Sequence, residues 1–282
     1  MRVLLEPWIG LFFCSRKQRQ EDPTTLVPFQ EVKNLPHRNI KLVVAYEGTK
    51  YHGWQRQVGQ GSIQEVLEQS VSKIVCHRVK IIGAGRTDSG VHALGQVCNF
   101  TTRSSVPLEG LRKGLNSILP KDIQVLKADE VSHDFHSRYS AKGKIYAYRI
   151  LNALEPDIFA QRYEWHIPIP LDTEAMAQCL SLIKGKHDFS AFRSSGSGNR
   201  NPVRTVFRAE LARGANPSRL IMLFEADGFL RHMVRNIVGT VVAAGLGKIS
   251  VRDFDDIMES RARERAGVKA PPNGLFLVKV IY

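Results

Sequence analysis

A chain of 282 residues, 43% hydrophobic and 24% charged, has the length for about two domains and the balance of an ordinary globular protein. Its 40 Lys+Arg against 27 Asp+Glu leave a net charge of +13, a field that captures polyanions and makes nucleic acid or an anionic surface the expected partner class. Four scattered cysteines without a Cys-x-x-Cys pair argue against a disulfide scaffold and a cysteine zinc site, and no apolar run reaches the ~18 residues that would span a membrane.

Residues 1–38 read as an appendage, expected to be poorly ordered. Its apolar start is broken by Glu6 and Pro7, and Arg16, Lys17 and Arg19 follow the apolar stretch, the reverse of a secretory signal. Glu21 and Asp22 weaken a transit-peptide reading. The expected compartment is the cytoplasm, or an organelle if residues 1–38 act as a targeting segment.

From Ile40 the periodicities are legible. Ile40–Tyr46 predicts a strand. Ser62-Ile-Gln-Glu65 is a capping box and predicts a helix with Ile63, Val66, Leu67, Ile74 and Val75 on one face. Val79–Ile82 and Gln96–Phe100 predict strands flanking a glycine-rich turn. Pro107 opens a second helix, striped by Leu108, Leu111, Leu115 and Ile118 and stopped by Pro120, and Ile123–Ala128 predicts a closing strand. The order β-α-β-β-α-β is the ferredoxin-like arrangement.

The order then repeats. Lys144–Leu151 predicts a strand, and Asp172 caps a helix carrying Met176, Leu180 and Ile183 that ends at Gly185. Val203–Leu211 and Leu220–Ala226 form a strand pair around Gly214-Ala-Asn-Pro217. A helix from Arg231 to Ala244, an inserted helix from Ser250 to about Arg265, and a strand from Leu275 to Tyr282 complete the chain. The predicted class is α+β: two ferredoxin-like halves, 39–140 and 141–282, around a cleft.

The glycine-rich turn, Gly83-Ala-Gly-Arg-Thr-Asp-Ser-Gly-Val-His-Ala-Leu-Gly-Gln96, carries one carboxylate, Asp88, two residues after Arg86. A dinucleotide fingerprint fails because Asp88 stands where the third glycine belongs. An aspartic-protease site needs two such carboxylates, and Asp-Ser-Gly occurs once. What remains is a lone carboxylate acting on an RNA base, or an aspartate that caps its own turn. In extended chain Arg86 and Asp88 share a face, so guanidinium and carboxylate can project together.

Other candidates come from the second half. Arg235 lies at the edge of the stripe Val234, Ile237, Val238 and Val241; it either snorkels to water or is held inward by a carboxylate. His232 points away from that stripe and reads as a surface or RNA-facing residue. Tyr146 and Tyr148 alternate along their strand, as core packing or as a stacking platform for an unpaired base. The Gly/Ser-rich loop from Phe192 to Arg204, followed by Arg208, carries Arg193, Arg200 and Arg204 with no acid among them, which favours phosphate contacts over a bare surface loop. His133 and His136 have a spacing a metal could use, but no further ligands accompany them.

Several blocks together resemble the TruA-type tRNA pseudouridine synthases. They are Tyr51-His-Gly-Trp-Gln-Arg56, Gly85-Arg-Thr-Asp-Ser-Gly-Val-His92, Asp134-Phe-His-Ser-Arg-Tyr-Ser140, Lys144-Ile-Tyr146 and His187-Asp-Phe-Ser-Ala-Phe192. Asn201-Pro-Val-Arg-Thr205, His232-Met-Val-Arg-Asn-Ile-Val-Gly239 and Pro272-Asn-Gly-Leu275 complete the set, in the family's order over residues 40–282. The resemblance implies a pseudouridine synthase fold with a central mixed sheet and an RNA-binding cleft. It implies conversion of uridine to pseudouridine at positions 38 to 40 of the tRNA anticodon arm, without cofactor or metal, by a homodimer. Asp88 would be the catalytic aspartate, Tyr146 would stack on the uracil and handle a proton, and Arg235 would pair with Asp88. Leu275 would wall the pocket, and Arg86 would fill the space left by the flipped base.

Overall fold

Alternation of side chains sets the strands. In β1 (Arg38–Tyr46), Ile40, Leu42, Val44 and Tyr46 turn inward and are buried. The computed structural model describes residues 37–196 and 201–282, so the expected extension before residue 37, and Arg200, lie outside the described residues. Arg38 already belongs to β1 and ties it to Glu130 of the neighbouring strand.

After β1 come α1 (Ile63–Val75), β2 (Ile82–Gly83), β3 (His92–Thr102), α2 (Leu108–Ile118) and β4 (Ile123–Val131). Ser62 caps α1 by accepting from the Glu65 amide. The second series is β5 (Gly143–Leu151), β6 (Trp165–His166), α3 (Thr173–Leu182), β7 (Gly185–Asp188), β8 (Val203–Arg213), β9 (Arg219–Ala226), α4 (Met233–Gly245), α5 (Val251–Ser260) and β10 (Leu275–Ile281). Asp172 caps α3 through the Glu174 and Ala175 amides. Among the described residues, no helix is long and apolar enough to cross a membrane.

These strands make one mixed sheet in the order β4-β1-β3-β10-β5-β9-β8-β7, with β2 on β3 and β6 on β5. Both series follow one plan: β4-β1-β3-β2 and β10-β5-β9-β8 each run fourth, first, third, second. The last strand joins them. β10 lies parallel to β3, with Phe276 opposite His92, and antiparallel to β5, with Leu277 opposite Tyr146.

Three elements differ from the sequence reading. Val79–Ile82 is not a four-residue strand, because α1 takes its backbone donors: Val79 N–H donates to Ser72 Oγ at 3.1 Å and Ile81 N–H to Glu68 Oε1 at 3.0 Å. The α2 stripe is narrower than expected, with Leu111 and Leu115 buried and Ile118 exposed. The inserted helix stops at Ser260, where Arg261 adopts φ 55°, a left-handed conformation that ends helices.

Candidate active site

The block from Tyr51 to Arg56 is a cradle for the Asp88 turn. Trp54 N–H donates to Thr87 O at 3.1 Å, and Tyr51 O accepts from Gly90 N–H at 3.4 Å and Ser89 Oγ at 3.2 Å. Gly53, at φ +86°, lies so close that a Cβ would stand 2.5 Å from Thr87 O. Thr87 turns into the core, where its hydroxyl meets Tyr46 at 2.8 Å. Its neighbours Arg86 and Asp88 therefore both face the cleft. They share a face without being paired: Arg86 Nε donates to Gln55 Oε1 at 3.1 Å.

The cation on Asp88 comes from α4. Arg235 Nη1 is 3.1 Å from Asp88 Oδ2, its Nε donates to Ala270 O at 2.8 Å, and only 7% of the residue is exposed. Of the two possibilities left by the sequence, the guanidinium is held inward. The pair joins positions 147 residues apart. The β3–β10–β5 seam completes the setting, since β3 leaves the Asp88 turn, β10 begins with buried Leu275, and β5 carries Tyr146. The Tyr146 ring packs edge-on against Phe229 with centroids 5.0 Å apart. Burial, then the neighbouring Tyr46 and Asp88, push its phenol well above the ordinary range, so Tyr146 is a neutral hydroxyl near pH 7.

His232, read as a surface or RNA-facing residue, lines the cleft, where its Nε2 is 3.5 Å from Asp88 Oδ1 and its Nδ1 is 2.8 Å from Ser194 Oγ. The cause is backbone: His232 has φ 61°, so α4 starts at Met233 and the ring turns back onto the site. Burial, ahead of the attraction of Asp88, lowers its basicity below that of a free imidazole. Because His232 precedes the helix, spacing from Arg235 alone does not place it; the left-handed backbone does.

Of the Phe192–Arg204 loop, Gly196 lines this cleft, Arg193 and Arg204 are not among its lining residues, and Arg200 lies outside the described residues. Arg204 Nη1 instead binds the Asn201 and Val203 carbonyls. Arg208 pairs with Glu210 at 2.7 Å, an acid two residues on along the same strand face. His136 is a turn residue, its Nδ1 accepting the Arg138 and Tyr139 amides at 3.2 Å each. His92 pins the start of β3: Nδ1 accepts from Gly48 N–H at 3.0 Å, leaving Nε2 to donate to Arg162 O at 2.9 Å.

The cleft measures about 1290 Å³, large for a single small molecule. Lys80, Arg86, Arg138, Lys144, Arg231, Arg235 and Lys269 line it, and Asp88 is the one carboxylate among the described lining residues. Seven cations around one acid suit a polyanion that presents a reactive group to a single carboxylate. Fold and site together define an enzyme acting on a polyanionic substrate.

Comparison with known proteins gives the family. A family model described as tRNA pseudouridine synthase matches residues 42–140 and 180–282. The chain is 48% identical to tRNA pseudouridine synthase A of Thermoanaerobacter sp. (strain X514) over 245 residues, covering 87% of this chain and all of that protein. It is 46% identical to the protein of the same name from Acetivibrio thermocellus over 247 residues, again 87% of this chain and all of the relative. For the one from Thermodesulfovibrio yellowstonii the identity is 44% over 253 residues, 86% of this chain and 99% of the relative. The chain belongs to the tRNA pseudouridine synthase family, and its enzyme class is isomerase.

Proposed function

We propose that this chain converts uridine to pseudouridine at positions 38, 39 and 40 of the tRNA anticodon stem-loop, with Asp88 as the group that acts on the flipped nucleotide. The observation that carries the reading is Asp88 itself, the single carboxylate among the described residues of a cationic cleft, fixed by buried Arg235. Uridine and pseudouridine are isomers: the N1–C1′ bond breaks, the uracil turns, C5 bonds to C1′ as the C5 proton leaves, and N1 takes up a proton. No net oxidation and no second substrate is involved. Flipping the base costs a few kcal/mol of unstacking, which phosphate contacts and stacking on Tyr146 offset. Arg86, exposed and donating to the Gln55 side-chain amide, fills the vacated stack in this reading. Leu275 excludes water from the reacting ribose. We further place the enzyme in the cytoplasm and read it as a homodimer, a state that light scattering on the purified chain tests directly.

Pseudouridine mapping in tRNA from cells lacking this protein tests the assignment. Uridine is expected at positions 38 to 40, restored to pseudouridine by the wild-type gene; unchanged pseudouridine there refutes the site.

Arg235→Lys keeps the charge but cannot serve Ala270 O and Asp88 Oδ2 at once with a planar fork. Losing one charge-assisted hydrogen bond costs about 1.5–3 kcal/mol, so turnover should fall roughly 10- to 100-fold. Single-turnover rates of C5 tritium release check this, with unchanged circular dichroism as the control.

A further inference from the structure

Lys144 has no assigned task in the reading above. It stands two residues before Tyr146 on β5, on the same strand face, and lines the same cleft. Its ammonium presses on the Asp88 turn: a Cβ at Gly85 would meet Nζ at 2.8 Å and Cε at 3.3 Å. The glycine in Gly85-Arg-Thr-Asp88 is thus also the space in which this ammonium sits.

Its surroundings are unfavourable for a cation. Arg138 from the segment before β5 and Arg204 from β8 add positive charge, and no carboxylate forms a salt bridge with any of the three among the described residues. Asp227 attracts Arg204 without making such a bridge. Other lysines of the protein do pair, as Lys41 and Lys127 do with Asp129. Burial, then repulsion by Arg138 and Arg204, push the Lys144 ammonium down to about 8. A half-buried ammonium among like charges gains from any anion that enters. In RNA the anion repeated at every step is the phosphodiester.

We propose that Lys144, with Arg138, is the seat of a substrate phosphodiester adjacent to the flipped nucleotide. The inference rests on the functional reading above and assigns that site's phosphate subsite. It differs from general basicity because the ammonium lies against Gly85, beside the turn that carries Asp88 and Arg86. The other charged or titratable groups lining this part of the cleft are Arg86 and Asp88 from the turn, His136 and Arg138 from the preceding segment and Tyr146 on β5, while Arg204 from β8, outside the lining, acts on the ammonium through its charge.

Binding a phosphate favours the charged ammonium, so the complex holds its proton to higher pH than the free protein. Below about pH 8 the lysine is charged in both states and affinity is full. Above it, Kd for tRNA should rise by up to tenfold per pH unit until the complex also titrates.

The experiment is equilibrium binding of unmodified tRNA transcript to the full-length protein between pH 7 and 9, and against salt at pH 7. Lys144→Arg should bind at pH 7 within a few-fold of wild type and lose the alkaline rise. Lys144→Met should weaken binding about tenfold and reduce the salt slope by about 0.7–0.9, the share of one phosphate contact. A Lys144→Met protein with wild-type slope and affinity, or a Lys144→Arg protein that keeps the alkaline rise, overturns the seat. Wild-type protein that does not bind tRNA at all overturns the functional reading as well. Normal tRNA binding with indifferent Lys144 variants removes this subsite alone.

Discussion

Asp88→Asn should give a folded protein that binds tRNA and isomerises it at roughly a thousandth of the wild-type rate or less, the loss typical when a reacting acid–base or nucleophilic group is removed. The substitution is isosteric, and the amide oxygen can still accept from Arg235 Nη1, now 3.1 Å from the carboxylate. Arg235 also keeps the Ala270 carbonyl, so the guanidinium is not orphaned. Breaking a fully buried pair costs several kcal/mol, but the Asp88 side chain is 29% exposed, so about 1–2 kcal/mol of stability is expected to go. RNA affinity should hold or improve, since the substitution removes the one carboxylate from the described lining of a cationic cleft. The predicted signature is a collapse of kcat with Kd for tRNA unchanged or lower. Asp88→Glu keeps the charge but moves it by about a bond length, and a displacement on the order of 1 Å costs about 10²-fold. Tritium release under single-turnover conditions, paired with tRNA binding, separates the cases. An asparagine variant within tenfold of wild type would remove Asp88 from the chemistry.

How much of this was legible in the sequence depended on how local its cause is. Strand and helix order followed from burial periodicity, which a residue's near neighbours determine. The same rule failed at Val79–Ile82, where apolar residues look like a strand but Ser72 and Glu68 take their amides. The very short strands β6 and β7 carry too few residues to show a period. At the site, Arg86 and Asp88 were read correctly as sharing a face, because alternation along three residues is local. Arg235 could not be resolved that way, since its partner lies 147 positions off and only the closed fold joins them. His232 was read as surface or RNA-facing and does line the cleft, but its contact with Asp88 was not legible, because the expected helix began at Arg231 whereas His232 is left-handed and α4 starts at Met233. The Tyr51–Arg56 block could be matched to a family but not explained, because its function is to hydrogen-bond another turn through its backbone. Glu210 was in plain view of Arg208, two residues along one strand, and the loop reading passed over it.

The second large effect concerns a glycine one helical turn beyond Arg235. In a helix interior Gly→Ala normally stabilises by up to about 1 kcal/mol, and Gly110→Ala in α2 should do so, its new methyl meeting only side-chain atoms at 3.9 and 4.0 Å. Gly239→Ala in α4 should do the reverse. A Cβ there would overlap the Val268 carbonyl oxygen and stand 2.9 Å from Val268 C and 3.2 Å from Ala270 N. These are backbone atoms, so no rotamer change relieves the clash, and the segment from Gly267 to Ala270 must move away from α4. That segment is tied to the helix by Gly267 N–H to Thr240 Oγ1 at 3.0 Å, by Ala270 N–H to Arg235 O at 3.1 Å and by Arg235 Nε to Ala270 O at 2.8 Å. Loosening several buried hydrogen bonds at once places the cost at about 3–5 kcal/mol, or roughly 10 °C in Tm for a protein of this size. The consequence reaches the chemistry, because the Ala270 carbonyl is the second anchor that aims Arg235 at Asp88. Turnover should therefore fall even at temperatures where the variant is fully folded, while Gly110→Ala leaves it intact. Calorimetry and single-turnover rates on the two alanine variants test the coupling. A Gly239→Ala protein that melts with wild type, or melts early yet turns over normally when folded, would show that this backbone contact does not hold the arginine in place.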